Sequence, residues 1–155
     1  MKLLTSSLAF LYGLFLLVVF PFLSIRLNEI LILPVYSNSI AKFLGIFMIV
    51  IGSLIWLICI GIFFYKGKGT PVPINPPRKL VVDSIYKRTR NPMYINTLLV
   101  LFGYFLYFGH LSLLCYWFMV FVVFHLFVVF YEEPTLQKKF GENYSKYCRK
   151  VPRWI

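Results

Sequence analysis

An all-α integral membrane bundle of four transmembrane helices is the fold class this sequence predicts, and three observations predict it. The 155 residues are 60% hydrophobic and 20% aromatic, with a mean hydropathy of +0.80, more apolar surface than a soluble domain of this size can hide. The apolar residues fall in unbroken blocks: 23 uncharged residues between Lys2 and Arg26, 23 between Lys42 and Lys66, and 41 from Asn91 to Tyr131, counting histidine as neutral. The charges, finally, gather in the gaps between those blocks.

A spanning helix needs about 20 apolar residues. The first two blocks therefore supply one span each, and the third supplies two, with Gly109-His110 as the turn. In the first block the apolar stretch Leu8 to Leu23 is long for a signal-peptide core and no small-residue cleavage site follows, so it reads as a retained helix. The whole chain, 1–155, forms one membrane domain, with two helices over 1–65 and nearly all the chemistry over 66–155.

The net charge of +11 is unevenly placed. Lys66, Lys68, Arg78, Lys79, Lys87, Arg88 and Arg90 crowd the segment between the second and third spans. Lys138, Lys139, Lys146, Arg149, Lys150 and Arg153 crowd the tail, and the turn between spans three and four has no basic residue. The positive-inside rule then puts both termini and the long loop in the cytoplasm, in the inner membrane if the source is bacterial. The basic excess reads as topology and attraction to anionic headgroups; no nucleic-acid-binding module accompanies it. Cys59, Cys115 and Cys148 are isolated and odd in number, which implies neither a disulfide framework nor a zinc site.

Between the spans, Gly67 to Pro77 is too proline-rich for a helix and predicts a stiff, extended cytoplasmic strap. Lys79 to Tyr86 follows as a short irregular segment, and Arg26 and Glu29 stand at pairing distance on one helix. After Pro134 the apolar residues Leu136, Phe140, Tyr144, Tyr147 and Val151 recur at helical spacing with lysines opposite. This predicts an amphipathic helical tail in the interfacial plane, with Trp154 as an interface anchor, or packed on the cytoplasmic face of the bundle.

The residues able to carry chemistry cluster at two places. Pro92 suits the first position of the third helix, making Asn91 its N-cap. The amides of Met93 and Tyr94, at the positive end of the helix dipole, then offer an anion site, and Arg90 adds a planar fork for a carboxylate or phosphate. A capped helix with a snorkelling arginine reads the same residues equally simply. Glu132 and Glu133, the only adjacent acidic pair, end the fourth span. Either the helix continues through them, placing two acids where a nearby cation is needed, or Pro134 begins a new helix that they cap. His125 lies seven and eight residues earlier, on the same helical face; it faces a cavity or hydrogen-bonds a neighbouring helix. Because a short turn joins spans three and four, the start of one lies beside the end of the other. Arg90, Asn91, Glu132 and Glu133 are thereby expected to converge, in a site suited to a ligand carrying both signs.

The run Gly69-Thr70-Pro71-Val72-Pro73, Pro76-Pro77, Leu80-Val81, Tyr86 and Arg90-Asn91-Pro92-Met93-Tyr94 resembles the isoprenylcysteine carboxyl methyltransferase family. So does the later run of His125, Tyr131-Glu132-Glu133-Pro134, Leu136, Phe140-Gly141, Tyr144, Tyr147 and Val151-Pro152-Arg153-Trp154. These are small integral membrane enzymes, related to phospholipid methyltransferases, that use S-adenosylmethionine. The resemblance covers residues 66–155; helices one and two match only in being hydrophobic. It implies a cofactor pocket under the cytoplasmic surface, closed by the strap and tail. Leu80, Val81 and Tyr86 would wrap the adenosine, while Asn91, Pro92, Met93, Tyr94 and His125 would line the pocket. Glu132 and Glu133 would hold the ammonium side and the sulfonium field, with Glu133 counted among the catalytic residues. Arg90 would orient the acceptor's nucleophile.

Two positions depart from the family pattern. Ser84 stands where relatives have glycine, a strained choice if the turn needs positive φ. Val128 stands where prenylcysteine-acting members tend to have an arginine. The expected function is methyl transfer from S-adenosylmethionine to a small lipophilic acceptor, an isoprenylcysteine-like carboxylate or a lipid headgroup, with positioning and electrostatics supplying the acceleration. The rival from another class is a non-catalytic lipid-binding or assembly protein that keeps the fold. A transporter fits poorly, since no span is broken near its midplane.

Overall fold

The computed structural model describes residues 11–62, 80, 82 and 84–155. The proline-rich strap from Gly67 to Pro77 and the position of Val81 lie outside these. The described residues are built from helices: α1 Leu11–Ile30, α2 Ser39–Ile62, α3 Pro92–Phe108, α4 Leu111–Phe140 and α5 Glu142–Lys150, with a 3-10 turn at Ser84–Lys87. They contain one isolated bridge, Val35 to His110, and no longer strand. α1, α2 and α4 are long and apolar enough to cross a membrane, at 20, 24 and 30 residues, while α3 is a shorter apolar helix of 17. The fold class read from the sequence is the one observed.

Many large apolar side chains on α1 and α2, among them Phe22, Ile40, Phe43, Phe47 and Leu54, point outward and are exposed. That is the pattern of helices bathed in hydrocarbon, whose backbone groups must be satisfied within the helix. Inward, Leu98 and Leu101 of α3 pack against Tyr116, Val120 and Phe124 of α4 as the buried core, with Leu16 and Leu17 of α1 on its flank. α2 meets α3 through glycines. A β-carbon at Gly45 would fall 2.7 Å from the Gly103 carbonyl oxygen, and one at Gly52 would fall 2.9 Å from a Val100 methyl. Small residues let helix backbones approach this closely where lipid supplies no hydrophobic drive.

The turn between α3 and α4 is the one expected. Gly109 ends α3 at φ 76, the left-handed conformation glycine adopts without cost, and His110 precedes α4. The α1–α2 connection lies against it, with the Tyr36 amide donating to the Gly109 carbonyl at 2.7 Å. Beside it, the wholly buried Asn28 bridges the end of α1 to the start of α4. Its Nδ2 donates to the Leu33 carbonyl at 2.9 Å, and its Oδ1 accepts from the Ser112 amide at 3.0 Å. Arg26 and Glu29 pair at 3.0 Å, as their spacing suggests.

One of the two readings left open at the acidic pair is observed, and the tail differs from expectation. The fourth helix does not stop at the acidic pair: it runs through Glu132 and Glu133 to Phe140, by way of a π-helical turn at Val128–Glu132. The tail is therefore not one helix after Pro134. Its first part continues α4, Gly141 breaks the path at φ 52, and α5 follows. α5 buries Tyr144 and the following Val151 against the bundle, so its apolar face is spent on protein contact rather than offered to the bilayer.

Candidate functional site

The site forms where the start of α3, the middle of α4 and the last residues of the chain meet. Pro92 takes the first helical position of α3 and is fully buried, and Asn91 occupies the N-cap position at φ −124, ψ 51. Its side chain makes no cap. The carboxamide Nδ2 instead donates to the Arg153 carbonyl at 3.0 Å, and Thr89 Oγ1 donates to the same carbonyl at 3.2 Å. The Arg90 amide donates to the Pro152 carbonyl at 3.0 Å. The chain end thus lies along the α3 entrance, held by backbone and short polar side chains. Among the described residues, no side-chain cap closes the first-turn amides of α3.

The two glutamates have unlike surroundings. Glu133 is clamped by two arginines. Arg153 grips it in a parallel fork, Nε to Oε1 and Nη2 to Oε2, both at 2.8 Å, and Arg90 Nη1 reaches Oε1 at 2.9 Å. Such bidentate, charge-assisted pairs are the strong ones, and here the carboxylate and Arg90 are both largely shielded, with side-chain exposures of 17% and 13%. Arg90 Nη1 also contacts Cys148 Sγ at 2.8 Å, while its Nε is buried with no partner among the described residues. Glu132 instead accepts from the Tyr94 hydroxyl at 2.8 Å and meets no cation among the described residues. The Tyr94 ring rests on Phe124, centroids 4.7 Å apart.

His125 sits deeper along α4. Its Nδ1 accepts from Trp154 Nε1 at 3.2 Å, and the rings stack at 6.1 Å. Trp154 also leans on Phe121, at 6.0 Å. The interfacial anchor read from the sequence is thus a plug packed on the helix. Tyr86, in the 3-10 turn, is buried, and its carbonyl accepts from the Tyr147 hydroxyl at 2.7 Å. Burial pushes the Tyr147 phenol up to about 12, against the pull of the Arg90 charge, with Cys148 adding to the rise. The hydrogen bond from Arg153 to Glu133 raises that guanidinium above its ordinary value, opposed by a small cost of burial.

Of the residues singled out from sequence, Arg90, Asn91, Pro92, Met93, Tyr94, Glu132 and Glu133 come together at this mouth. His125 joins them through Trp154 rather than through the glutamates. Helical spacing put all three acceptors on one stripe; the π-helical turn between His125 and Glu133 shifts that register, so each finds a different partner. Leu80 is half-buried in the segment before the 3-10 turn. Sequence reasoning missed the clamp role of Arg153 and the contacts of Tyr147 and Cys148. Arg153 lies 20 residues beyond Glu133 and past two changes of chain direction, and no spacing rule reaches across those. Ser84 does adopt positive φ, at 53, the strained turn its place in the pattern implied.

The fold and this mouth define a small helical membrane protein with a polar site at the end of its bundle. The sequence pattern of the phospholipid methyltransferase family matches residues 40–143. The chain belongs to that family, a family of membrane methyltransferases. It is also similar to an uncharacterised protein of Haemophilus influenzae, 38% identical over 64 residues that make up 41% of this chain and all of that protein. No solved structure matches.

Proposed function

We propose that this protein transfers a methyl group from S-adenosylmethionine to a lipophilic acceptor at the cytoplasmic face of the membrane. The observation that carries the reading is the meeting of the α3 entrance with Glu132 and Glu133 of α4, which puts an anion-binding helix start beside carboxylates. A zwitterionic, cationic cofactor needs both. In this reading the open first-turn amides at Met93 and Tyr94 receive the cofactor carboxylate, and Glu132 faces its positive charge. Tyr86, with Leu80 and Val81 before it, borders the adenosine, and the His125–Trp154 pair closes the inner wall. Glu133 holds Arg90 in place, and the buried Arg90 Nε is the donor left to orient the acceptor's nucleophile. Displacement at a sulfonium needs little acid–base help, so orientation and fixed charge supply most of the acceleration.

The acceptor side favours a headgroup that is not an anion. Both arginines at the mouth are engaged by Glu133, Glu132 has no cation among the described residues, and Val128, where prenylcysteine-acting relatives tend to place an arginine, is wholly buried and apolar. A lipid amine fits this balance better than an isoprenylcysteine-like carboxylate. The test is transfer of labelled methyl from S-adenosylmethionine to a total lipid extract supplemented with a prenylcysteine analogue, using protein in detergent or vesicles. Label in an aminolipid is expected. Label in the prenylcysteine ester would reverse the acceptor assignment. Absence of label, together with no binding of S-adenosylhomocysteine, would leave the non-catalytic reading standing.

A further inference from the structure

α1 and α4 carry the same backbone device, a π-helical turn with a proline just after it. In α1 the π-helical turn Phe15–Val19 closes with the Phe20 amide on the Phe15 carbonyl, and Pro21 follows. In α4 the turn Val128–Glu132 closes with the Glu133 amide on the Val128 carbonyl, and Pro134 follows. The next carbonyl in each helix, that of Leu16 or Val129, loses both of its helical donors. One amide is committed a residue earlier, and the other nitrogen belongs to proline and has no hydrogen. A backbone acceptor left bare at membrane depth is costly.

In α1 the fold supplies the missing donor: the Tyr116 hydroxyl reaches the Leu16 carbonyl at 2.8 Å. In α4 the Thr135 hydroxyl goes to the Tyr131 carbonyl instead, at 2.6 Å. Among the described residues, no side-chain donor and no amide from outside α4 reaches the Val129 oxygen, and the Glu133 amide goes to Val128. A helical carbonyl points toward the amide four residues on, so this oxygen lies level with Glu133. It is an acceptor without a helical donor, three residues before Glu132, whose carboxylate has one phenol as its partner among the described residues.

We infer that the Val129 carbonyl is a ligand acceptor, and that with the Glu132 carboxylate it receives the α-ammonium of the cofactor's amino acid part. This rests on the cofactor assignment made above. An ammonium brings three donors and a positive charge; a carboxylate and a carbonyl can together take two of the donors and balance the charge. The role of Pro134 is then to withhold an amide, keeping the acceptor unfilled until the ligand arrives.

The experiment compares two ligands on the full-length protein in detergent: S-adenosylhomocysteine, which has the ammonium, and 5′-methylthioadenosine, which lacks the whole amino acid part. Pro134→Ala returns an amide hydrogen that can fill the acceptor from within, and Pro21→Ala is the control in α1. Pro134→Ala is expected to weaken S-adenosylhomocysteine about tenfold while leaving methylthioadenosine as in the wild type, and Pro21→Ala should change neither. Equal weakening of both ligands, or of neither, overturns the inference. Wild-type protein that binds neither overturns the cofactor assignment and this inference with it. Wild-type binding that Pro134→Ala leaves intact overturns this inference alone. Should Pro134→Ala fail to fold, a carbonyl-carbon label on the Val129–Phe130 pair, assigned by its loss in Phe130→Leu, decides. Its resonance should move with S-adenosylhomocysteine and stay still with methylthioadenosine; a resonance that ignores both is the contrary result.

Discussion

Gly45 of α2 and Gly103 of α3 meet backbone to backbone: a β-carbon on the first would lie 2.7 Å from the second's carbonyl oxygen, and the reverse distance is 2.8 Å. Neither carbonyl can move without moving its helix. Gly103→Ala is therefore expected to destabilise by roughly 1–3 kcal/mol and Gly103→Leu to prevent assembly of α2 on α3. Gly61→Ala, where a β-carbon meets open space, should be neutral. Thermal unfolding midpoints in one detergent order the three; similar midpoints would show that the close crossing is unimportant.

The fork from Arg153 to Glu133 ties the end of the chain to α4. Arg153→Lys keeps the charge but loses the planar two-point grip, so both Arg153→Ala and Arg153→Lys should loosen residues 142–154. Removing one partner of a shielded pair costs on the order of 1–3 kcal/mol. Hydrogen exchange of α5 measures this directly, and protection unchanged in Arg153→Ala would rule the fork out as the tether. Glu133→Gln should loosen the same segment and release Arg90 as well.

Among the described residues, two other than glycine sit at positive φ. Ile32, at 51, follows α1 where its end closes with the Leu33 amide on the Asn28 carbonyl at 3.0 Å, the geometry that usually recruits glycine. Ser84, at 53, opens the 3-10 turn. Each side chain costs about 1 kcal/mol in this conformation. Ile32→Gly and Ser84→Gly should each raise the unfolding midpoint by about 2–4 °C, and a lower midpoint in both would contradict the strain.

Tyr147 gives the tail a dependence on alkali. Its phenol ionises at about 12 in the folded protein against an ordinary 10.0. Its contribution to stability is complete below pH 10. Between pH 10 and about 12 the unfolded chain sheds a proton that the folded chain keeps, so stability falls as pH rises. Tyr147→Phe should be less stable at neutral pH by about 1 kcal/mol, from the lost bond to Tyr86, yet decline less steeply across that window. Parallel midpoint-against-pH curves for the two proteins would refute this.

Much of this was readable from the residues. Charge-free block lengths gave the spans, and Gly109-His110 gave the hairpin that forces Arg90 toward Glu133. Pro92 marked the start of α3 because its missing N–H costs nothing there. What could not be read depended on competition between partners. Asn91 has the composition of an N-cap, but its side chain is drawn to the Arg153 carbonyl, which only the returning tail supplies. Pro134 looked able to end a helix, yet α4 continues past it by way of a π-helical turn. The crossing at Gly45 and Gly103 left no periodic signal, since a glycine's packing use depends on a neighbour far away in sequence.

The two ends of the bundle are fastened by different means. At the Asn28 end, the Gly109–Tyr36 backbone bond and the amide of Ser112 rivet the two hairpins together. At the other end, the described residues that meet are joined mainly by side chains and by a short returning peptide. Thermal breathing is easiest where few main-chain bonds must break. Spreading of the helices thus pivots about the riveted end and widens at the glutamate mouth, so a bulky hydrocarbon chain could be admitted there while the far hairpins keep their register.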